Sequence, residues 1–337
     1  MRPSQKTQQH REPKPSIVGT GAYLPAKVLR NSDLESMVDT SDRWIVERTG
    51  IQERRIAAEK ECPSDMGTAA ALMALERAGL TPEDLDLIIV ATTTADTLFP
   101  STACQIQQKI GARKVPAFDL QAACSGFLYG LVMAHHLVAL GTYRTILVVG
   151  AEKLSSIVNW SDRNTCVLFG DGAGAVIIQQ SATGGRLLAH DLGADGSQGQ
   201  VLTVPAGGSR LPITAENVGE GLQFIQMVGK TVFRLAIDAM ESTARTCLNK
   251  VGLPVDKVDY VIPHQANMRI IELLATRLDL PLKRFFIHLE RYGNTSAACI
   301  PIALHEALTA GNIQPGEKIL LIAFGGGLTW ASALLEW

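Results

Sequence analysis

The chain has 337 residues, 46% of them hydrophobic and 19% charged, with a formal net charge of -2. That length suits two modest domains packed together, and the composition supports a large buried core rather than a disordered or fibrous chain. Near-neutral charge excludes broad attraction to nucleic acid or acidic membranes, so any basic binding surface is local.

The N-terminus, MRPSQKTQQHREPKP, is polar and lacks the apolar stretch of a signal peptide. Residues 1–14 read as a disordered tail. Charges and glycines interrupt every later apolar run, which predicts a soluble, cytoplasmic protein with no membrane span. Six cysteines (Cys62, Cys104, Cys124, Cys166, Cys247 and Cys299) are scattered without a CxxC pair or a close Cys/His cluster. That spacing argues against a disulfide scaffold and a zinc site, so no metal is expected and most of these thiols read as small buried hydrophobes.

Residues 78–91, AGLTPEDLDLIIVA, predict a helix end, a polar turn and an apolar strand, and residues 251–264, VGLPVDKVDYVIPH, repeat that order 251 − 78 = 173 positions later. An apolar helix from Ala123 to Leu140 stops at Gly141 and precedes the strand TILVVG at 145–150. Its echo is a helix from about Thr295 to Ala310, Gly311, and KILLIAFGGG at 318–327, with Ile146 and Ile319 again 173 apart. Two matches in one register indicate duplication. The strands are Val/Ile/Leu-rich without alternation, as where both faces are covered, and the two central helices are apolar nearly all round. These features predict an α/β fold of two pseudo-symmetric halves, 15–188 and 189–337, layered αβαβα. Small residues (Gly126 and Gly130; Ala297, Ala298 and Ala303) are expected to let the central helices approach closely.

Cys124 sits at the head of the first central helix, flanked by Ala122, Ala123, Ser125 and Gly126. Unpaired N–H groups and the helix dipole there favour a thiolate and predict a lowered thiol pKa. Taken alone, this cysteine reads as structural or as a nucleophile. His264 ends a strand in VIPHQANMRI and Asn294 precedes a helix in RYGNTSAACIP, at element ends equivalent to those near Cys124. Such ends project into a shared crevice, although Asn294 alone reads as a helix cap. The three glycines of FGGGLTW (324–330) permit close backbone approach, so N–H groups there are candidates to face an oxyanion, or form a simple turn.

At these motifs the sequence resembles β-ketoacyl-acyl-carrier-protein synthase III, a condensing enzyme of the thiolase superfamily. GTGAYLP, DTSDRWIVERTGI, FPSTACQIQ, AACSGF, FGDGAGA, PHQANMRI, YGNTSAA and FGGGLTW fall in that family's order from about Ser16 to Trp337. The resemblance implies a duplicated thiolase-like fold, a homodimer and a catalytic triad of Cys124, His264 and Asn294. It implies that Cys124 takes an acetyl group from acetyl-CoA, with the N–H groups of Cys124 and Gly326 as oxyanion hole. His264 and Asn294 then stabilise the enolate of malonyl-acyl-carrier protein as CO2 leaves, giving acetoacetyl-acyl-carrier protein. No metal or redox cofactor is implied. Trp44, Arg48, Arg163 and Asn267 would bind CoA, with Trp44 and Arg163 sandwiching its adenine. Gln265, Ala266, Asn267, Met268 and Arg269, with Arg234 and Arg277, would meet the acyl-carrier protein. Phe99 would reach across the dimer and close the partner's primer pocket. Two other classes carry the same three residues less well: a papain-like thioester or amide hydrolase, against which the duplication and final glycines argue, and a non-catalytic acyl-binding protein. A related condensing enzyme of secondary metabolism shares the whole pattern.

Overall fold

The computed structural model describes residues 14–337; the tail expected over residues 1–14 lies outside them, except for Lys14, which already belongs to the first strand. The first half comprises β1 (Lys14–Tyr23), the antiparallel pair β2 (Lys27–Arg30) and β3 (Glu53–Ile56), α1 (Asn31–Glu35) and α2 (Asp42–Thr49). It continues through α3 (Pro63–Ala78), β4 (Leu87–Ala91), α4 (Thr102–Ile110), β5 (Ala117–Leu120), α5 (Gly126–Ala139), β6 (Thr145–Glu152) and β7 (Gly172–Ser181). The second half comprises β8 (Gly185–Ala194), the short pair β9 (Leu202–Thr203) and β10 (Gln226–Met227), α6 (Gly229–Asn249) and β11 (Tyr260–Pro263). It ends with α7 (Met268–Leu278), α8 (Leu289–Tyr292), α9 (Cys299–Thr309), β12 (Lys318–Gly325) and β13 (Thr329–Glu336). The expected division at 188/189 falls inside β8, which pairs along its length with β13 of the second half.

The register of 173 residues carries into the coordinates. β4 starts at Leu87 and β11 at Tyr260, while β6 (145–152) maps residue for residue onto β12 (318–325). The 3-10 turns Ala123–Ser125 and Ser296–Ala298, which lead into α5 and α9, stand in the same relation. Gly141 and Gly311, at φ +71° each, close the two central helices as left-handed residues that glycine adopts without steric cost.

Hydrogen bonding runs through nine strands in the order β11-β12-β13-β8-β1-β7-β6-β4-β5. The four-strand and five-strand groups join only where Ser16 and Ile17 meet Arg186 and Gly185, so the two expected sheets are linked at one edge. Side chains alternate between two cores, as the two-residue period of a strand requires. Ile146 and Val148 of β6 face α5 and α9 in the central layer, whereas Leu147 and Val149 pack under α3 and α4. Leu320 and Ile322 of β12 likewise pack against α6 and α7 on the opposite outer face. The αβαβα layering is therefore present.

The small residues act differently from expectation. A Cβ on Gly130 would lie 3.1 Å from Val148 Cγ1, and one on Gly126 would lie 3.1 Å from Ala91 Cβ, so these glycines seat α5 against β4 and β6 rather than against α9. The second central helix is received by strand glycines: a Cβ on Gly150 would stand 2.4 Å from the Ala297 carbonyl oxygen, and one on Gly174 2.7 Å from the Ile302 nitrogen. Because the obstructing atoms are backbone, no rotamer change relieves them. Gly150→Ala is expected to cost about 1–3 kcal/mol of stability through overpacking. An unchanged urea midpoint for that variant would show that the Ala297 turn yields freely.

Candidate active site

The site forms where the tips of the two halves meet. Cys124 lies in the 3-10 turn ahead of α5, His264 directly follows β11, and Asn294 stands two residues before the turn that opens α9. All three line one cavity of about 730 Å³, together with Gly325, Gly326 and Gly327. Ala123 (φ +46°) and Ser296 (φ +49°) hold left-handed conformations unusual outside glycine, and they are equivalent under the 173-residue register. Such backbone is retained at sites where the surroundings impose it. A Cβ on Gly325 would lie 2.6 Å from the Cys124 nitrogen, so the final glycine run presses bare backbone against the nucleophile's turn.

Burial sets the electrostatics. The Cys124 thiol is pushed up to about 12 by desolvation, against the lowering expected from the helix terminus. A dipole contribution of about 1–2 kcal/mol is too small to offset a desolvation shift of roughly 4 kcal/mol. The resting nucleophile is thus a neutral thiol. Burial likewise holds His264 neutral, its pKa lowered to about 4. Its Nδ1 lies 2.9 Å from the Sγ of buried Cys299, whose thiol pKa is raised by burial. Kept protonated by burial, that thiol has a proton to donate to Nδ1, and in this tautomer the ring proton stands on Nε2. Asn294 accepts the Ser296 N–H at 2.8 Å; since that partner only donates, the accepting atom is the amide oxygen and the NH2 group is left to the cavity. One neutral ring N–H and one amide NH2 are the side-chain donors that His264 and Asn294 bring to this cavity.

At the mouth, α2 presents Trp44 and Arg48 to the cavity, and Asn267 ties α7 to α2 by donating to the Arg48 carbonyl at 3.0 Å. The Arg163 guanidinium stacks 4.4 Å from the Trp44 ring centre and bonds the Asp39 carbonyl, so the expected adenine sandwich is closed in this conformation. Gln265 departs from its expected role. Its side chain is fully buried, donating to Pro263 and Phe286 carbonyls and accepting from the His288 N–H, so it braces the loop rather than meeting a partner. Arg277, half exposed, pairs at the surface with Glu241 at 3.0 Å and Asp238 at 3.5 Å, eight residues along α7 from Arg269. Arg234 and Arg269 are exposed and make no ion pair among the described residues. Ala266 and Met268 are half-buried beside them. Phe99 is 85% exposed and its neighbour Leu98 92%, and neither lines the cavity of its own chain.

Three residues near the reacting sulfur carry no strong sequence signal. Glu152 is a single carboxylate at the end of the apolar run TILVVGAE, Ser296 is hidden behind Asn294, and Cys299 reads as core filler. The register held the one usable clue, because it places Ser296 opposite Ala123, the residue before the nucleophile.

The pattern for "3-Oxoacyl-[acyl-carrier-protein (ACP)] synthase III" matches residues 118–196, and that for its C-terminal region matches residues 248–337. A beta-ketoacyl-[acyl-carrier-protein] synthase III of Caldanaerobacter subterraneus subsp. tengcongensis is 54% identical over 321 residues, spanning 95% of this chain and 97% of that protein. The crystal structure of the Aquifex aeolicus 3-oxoacyl-[acyl-carrier-protein] synthase III superposes with a TM-score of 0.88 at 50% identity, covering 96% of this chain and all of that one. The priming beta-ketosynthase of the R1128 polyketide pathway has the same TM-score of 0.88 at 34% identity, over 98% and 99% of the two chains. With its thiolase-like layers, its duplicated halves and relatives of this identity over nearly its whole length, the chain belongs to the 3-oxoacyl-[acyl-carrier-protein] synthase III family of condensing enzymes.

Proposed function

We propose that this enzyme condenses acetyl-CoA, or another short acyl-CoA, with malonyl-acyl-carrier protein to give acetoacetyl-acyl-carrier protein, opening type II fatty acid synthesis. The observation that carries the assignment of roles is the convergence of Cys124, His264 and Asn294 on one cavity from two halves of the chain. In the first stage Cys124 Sγ attacks the primer thioester and becomes acylated. One thioester replaces another, so the exchange is close to balanced in energy. The Cys124 and Gly326 backbone N–H groups receive the carbonyl oxygen as it becomes an oxyanion.

In the second stage malonyl-acyl-carrier protein loses CO2. His264 Nε2–H and the Asn294 NH2 donate to its thioester carbonyl, where enolate charge gathers. In a site this dry, two fixed neutral donors stabilise that charge without drawing a counter-ion into the core. The enolate carbon attacks the acyl group on Cys124, and the departure of CO2 drives bond formation. Neither a metal nor a redox cofactor enters these steps.

In this reading Trp44, Arg48 and Asn267 hold CoA at the mouth, with Arg163 joining them once it swings off Trp44. Arg234 and Arg269, with Ala266 and Met268, offer a local cationic face to an acidic carrier protein despite the slightly negative whole. The exposed Leu98–Phe99 tip supports a homodimer in which Phe99 enters the partner's primer pocket, since an apolar pair this bare is ordinarily covered. No described helix is long and apolar enough to cross a membrane. A hydrolase would require water to reach the acyl-enzyme, which an apolar cavity wall including Leu154, Ile157, Val167 and Ile225 disfavours.

The purified chain given acetyl-CoA and then malonyl-acyl-carrier protein is expected to form acetoacetyl-acyl-carrier protein; hydrolysis of acetyl-CoA without a condensed product would overturn the reading. Cys124→Ala should fold yet take up no acetyl group. His264→Ala and Asn294→Ala should each still be acetylated but lose malonyl decarboxylation by roughly 10²–10³-fold, the usual cost of one oxyanion donor. Normal condensation by either variant would assign the donor role elsewhere. Charge reversal at Arg234 and Arg269 together is expected to raise KM for the carrier-borne substrate about tenfold, with the effect shrinking as salt rises. A KM insensitive to both changes would move carrier docking to another face.

A further inference from the structure

A neutral imidazole donates a hydrogen bond only from the nitrogen that carries its proton, so the task of His264 depends on what holds its other nitrogen. The backbone fixes where the ring starts: His264 follows β11, and its N–H bonds the Ile322 carbonyl of β12 at 2.7 Å. The residue is only 4% exposed, yet it lines the cavity. Its Nδ1 meets Cys299 Sγ at 2.9 Å, and Cys299 is wholly buried as the first residue of α9. Among the described residues this sulfur is the ring's one hydrogen-bond partner.

A histidine that serves as a base is ordinarily backed by a carboxylate or carbonyl. That partner takes the Nδ1 proton and leaves Nε2 as a bare lone pair. Here the backing group is a thiol. Glu152, buried at the end of β6, is taken up by Thr92, Thr93, Thr94 and Ser296, and Glu306 of α9 by Arg291 and Tyr292. Neither carboxylate is bonded to the His264 ring. A sulfur in so dry a place keeps its proton, because desolvation raises the Cys299 thiol. The ring is neutral too, so only one of its nitrogens carries a proton. An Nδ1–H aimed at the sulfur would meet a weak acceptor, whereas S–H aimed at Nδ1 meets the basic lone pair of the imidazole.

We propose that Cys299 is a positioning residue that makes His264 a hydrogen-bond donor rather than a base. Its S–H occupies Nδ1, the single ring proton stays on Nε2, and Nε2–H is left for the carbonyl on which enolate charge gathers. Cys299 touches no reacting atom and acts only through the imidazole. As a neutral partner it also gives the ring no negative charge that would raise its basicity. The proposal rests on the condensing-enzyme reading above. It ties Cys299 to the decarboxylating stage and leaves acylation of Cys124, served by backbone N–H groups, independent of it.

The test reads tautomer and turnover together, on the whole chain at neutral pH. Long-range proton–nitrogen correlation spectra of histidine-labelled protein distinguish an Nε2–H ring from an Nδ1–H ring, and loss of signals in His264→Gln assigns them. Wild type and Cys299→Ser are expected to show Nε2–H, since a hydroxyl also donates, whereas Cys299→Ala is expected to show both tautomers. Cys299→Ala should slow decarboxylation of malonyl-acyl-carrier protein about tenfold, near the worth of one neutral hydrogen bond, and Cys299→Ser should restore most of that rate. Acetylation of Cys124 by acetyl-CoA, read as the mass of the intact protein, should be unchanged in both variants. An Nδ1–H ring in wild type overturns the proposal, and that measurement needs no variant to fold. Decarboxylation by Cys299→Ala at the wild-type rate overturns it too, as does a ring still wholly Nε2–H in that variant. Equal loss of both half-reactions, or a serine variant as slow as the alanine one, reduces Cys299 to a packing residue and rejects the donor role. A wild-type chain with an Nε2–H ring that neither acetylates nor decarboxylates refutes the enzyme reading instead.

Discussion

The meeting of two backbone turns at the centre of the molecule is the constraint on which the rest of this structure depends. The turns Ala123–Ser125 and Ser296–Ala298 open the two buried helices and pack on each other, and Gly150 of β6 and Gly325 of β12 let the strands close onto them. Contact at this distance brings a thiol from one half within reach of a hydroxyl and an amide from the other. Each half alone supplies an incomplete set. At the register mate of Cys124 stands Ala297, and at those of His264 and Asn294 stand Ala91 and Gln121, so the duplicated scaffold carries different chemistry at each copy.

The second governing fact is dryness. Desolvation raises the thiol, lowers the imidazole and raises the carboxylate, which leaves thiol and imidazole neutral and makes proton uptake by the carboxylate less costly. Neutral donors in a low-dielectric site act strongly on an enolate that forms only during reaction, and they do not bind a resting counter-ion that would have to be expelled. The same dryness makes a free thiolate costly.

The layers, the duplication and the three principal side chains were legible in the sequence because each leaves a local trace. Strands covered on both faces read as unbroken Val/Ile/Leu, helix ends carry glycine, and a copied register repeats. Glu152 and Cys299 left no such trace, since their importance lies in contacts across 144 and 35 residues of chain to Ser296 and His264. Burial misled the reading of Cys124, because a helix start is visible in a sequence whereas the loss of water around it is not. Gln265 is opaque for a related reason: a polar residue in a binding motif and one committed to internal bonds look alike until the partners are located.

The walls of the cavity and its floor are made of different material. Around the acyl space stand side chains such as Leu154, Val167 and Ile225, whereas the reacting atoms are spaced by peptide groups at the glycines. Exchange of a wall residue reshapes the volume open to a primer and leaves the distances between sulfur, ring and amide alone. Chain length and branching of the accepted acyl group are thus free to drift from one descendant of this scaffold to another, while the bond-forming geometry has no small steps by which to change.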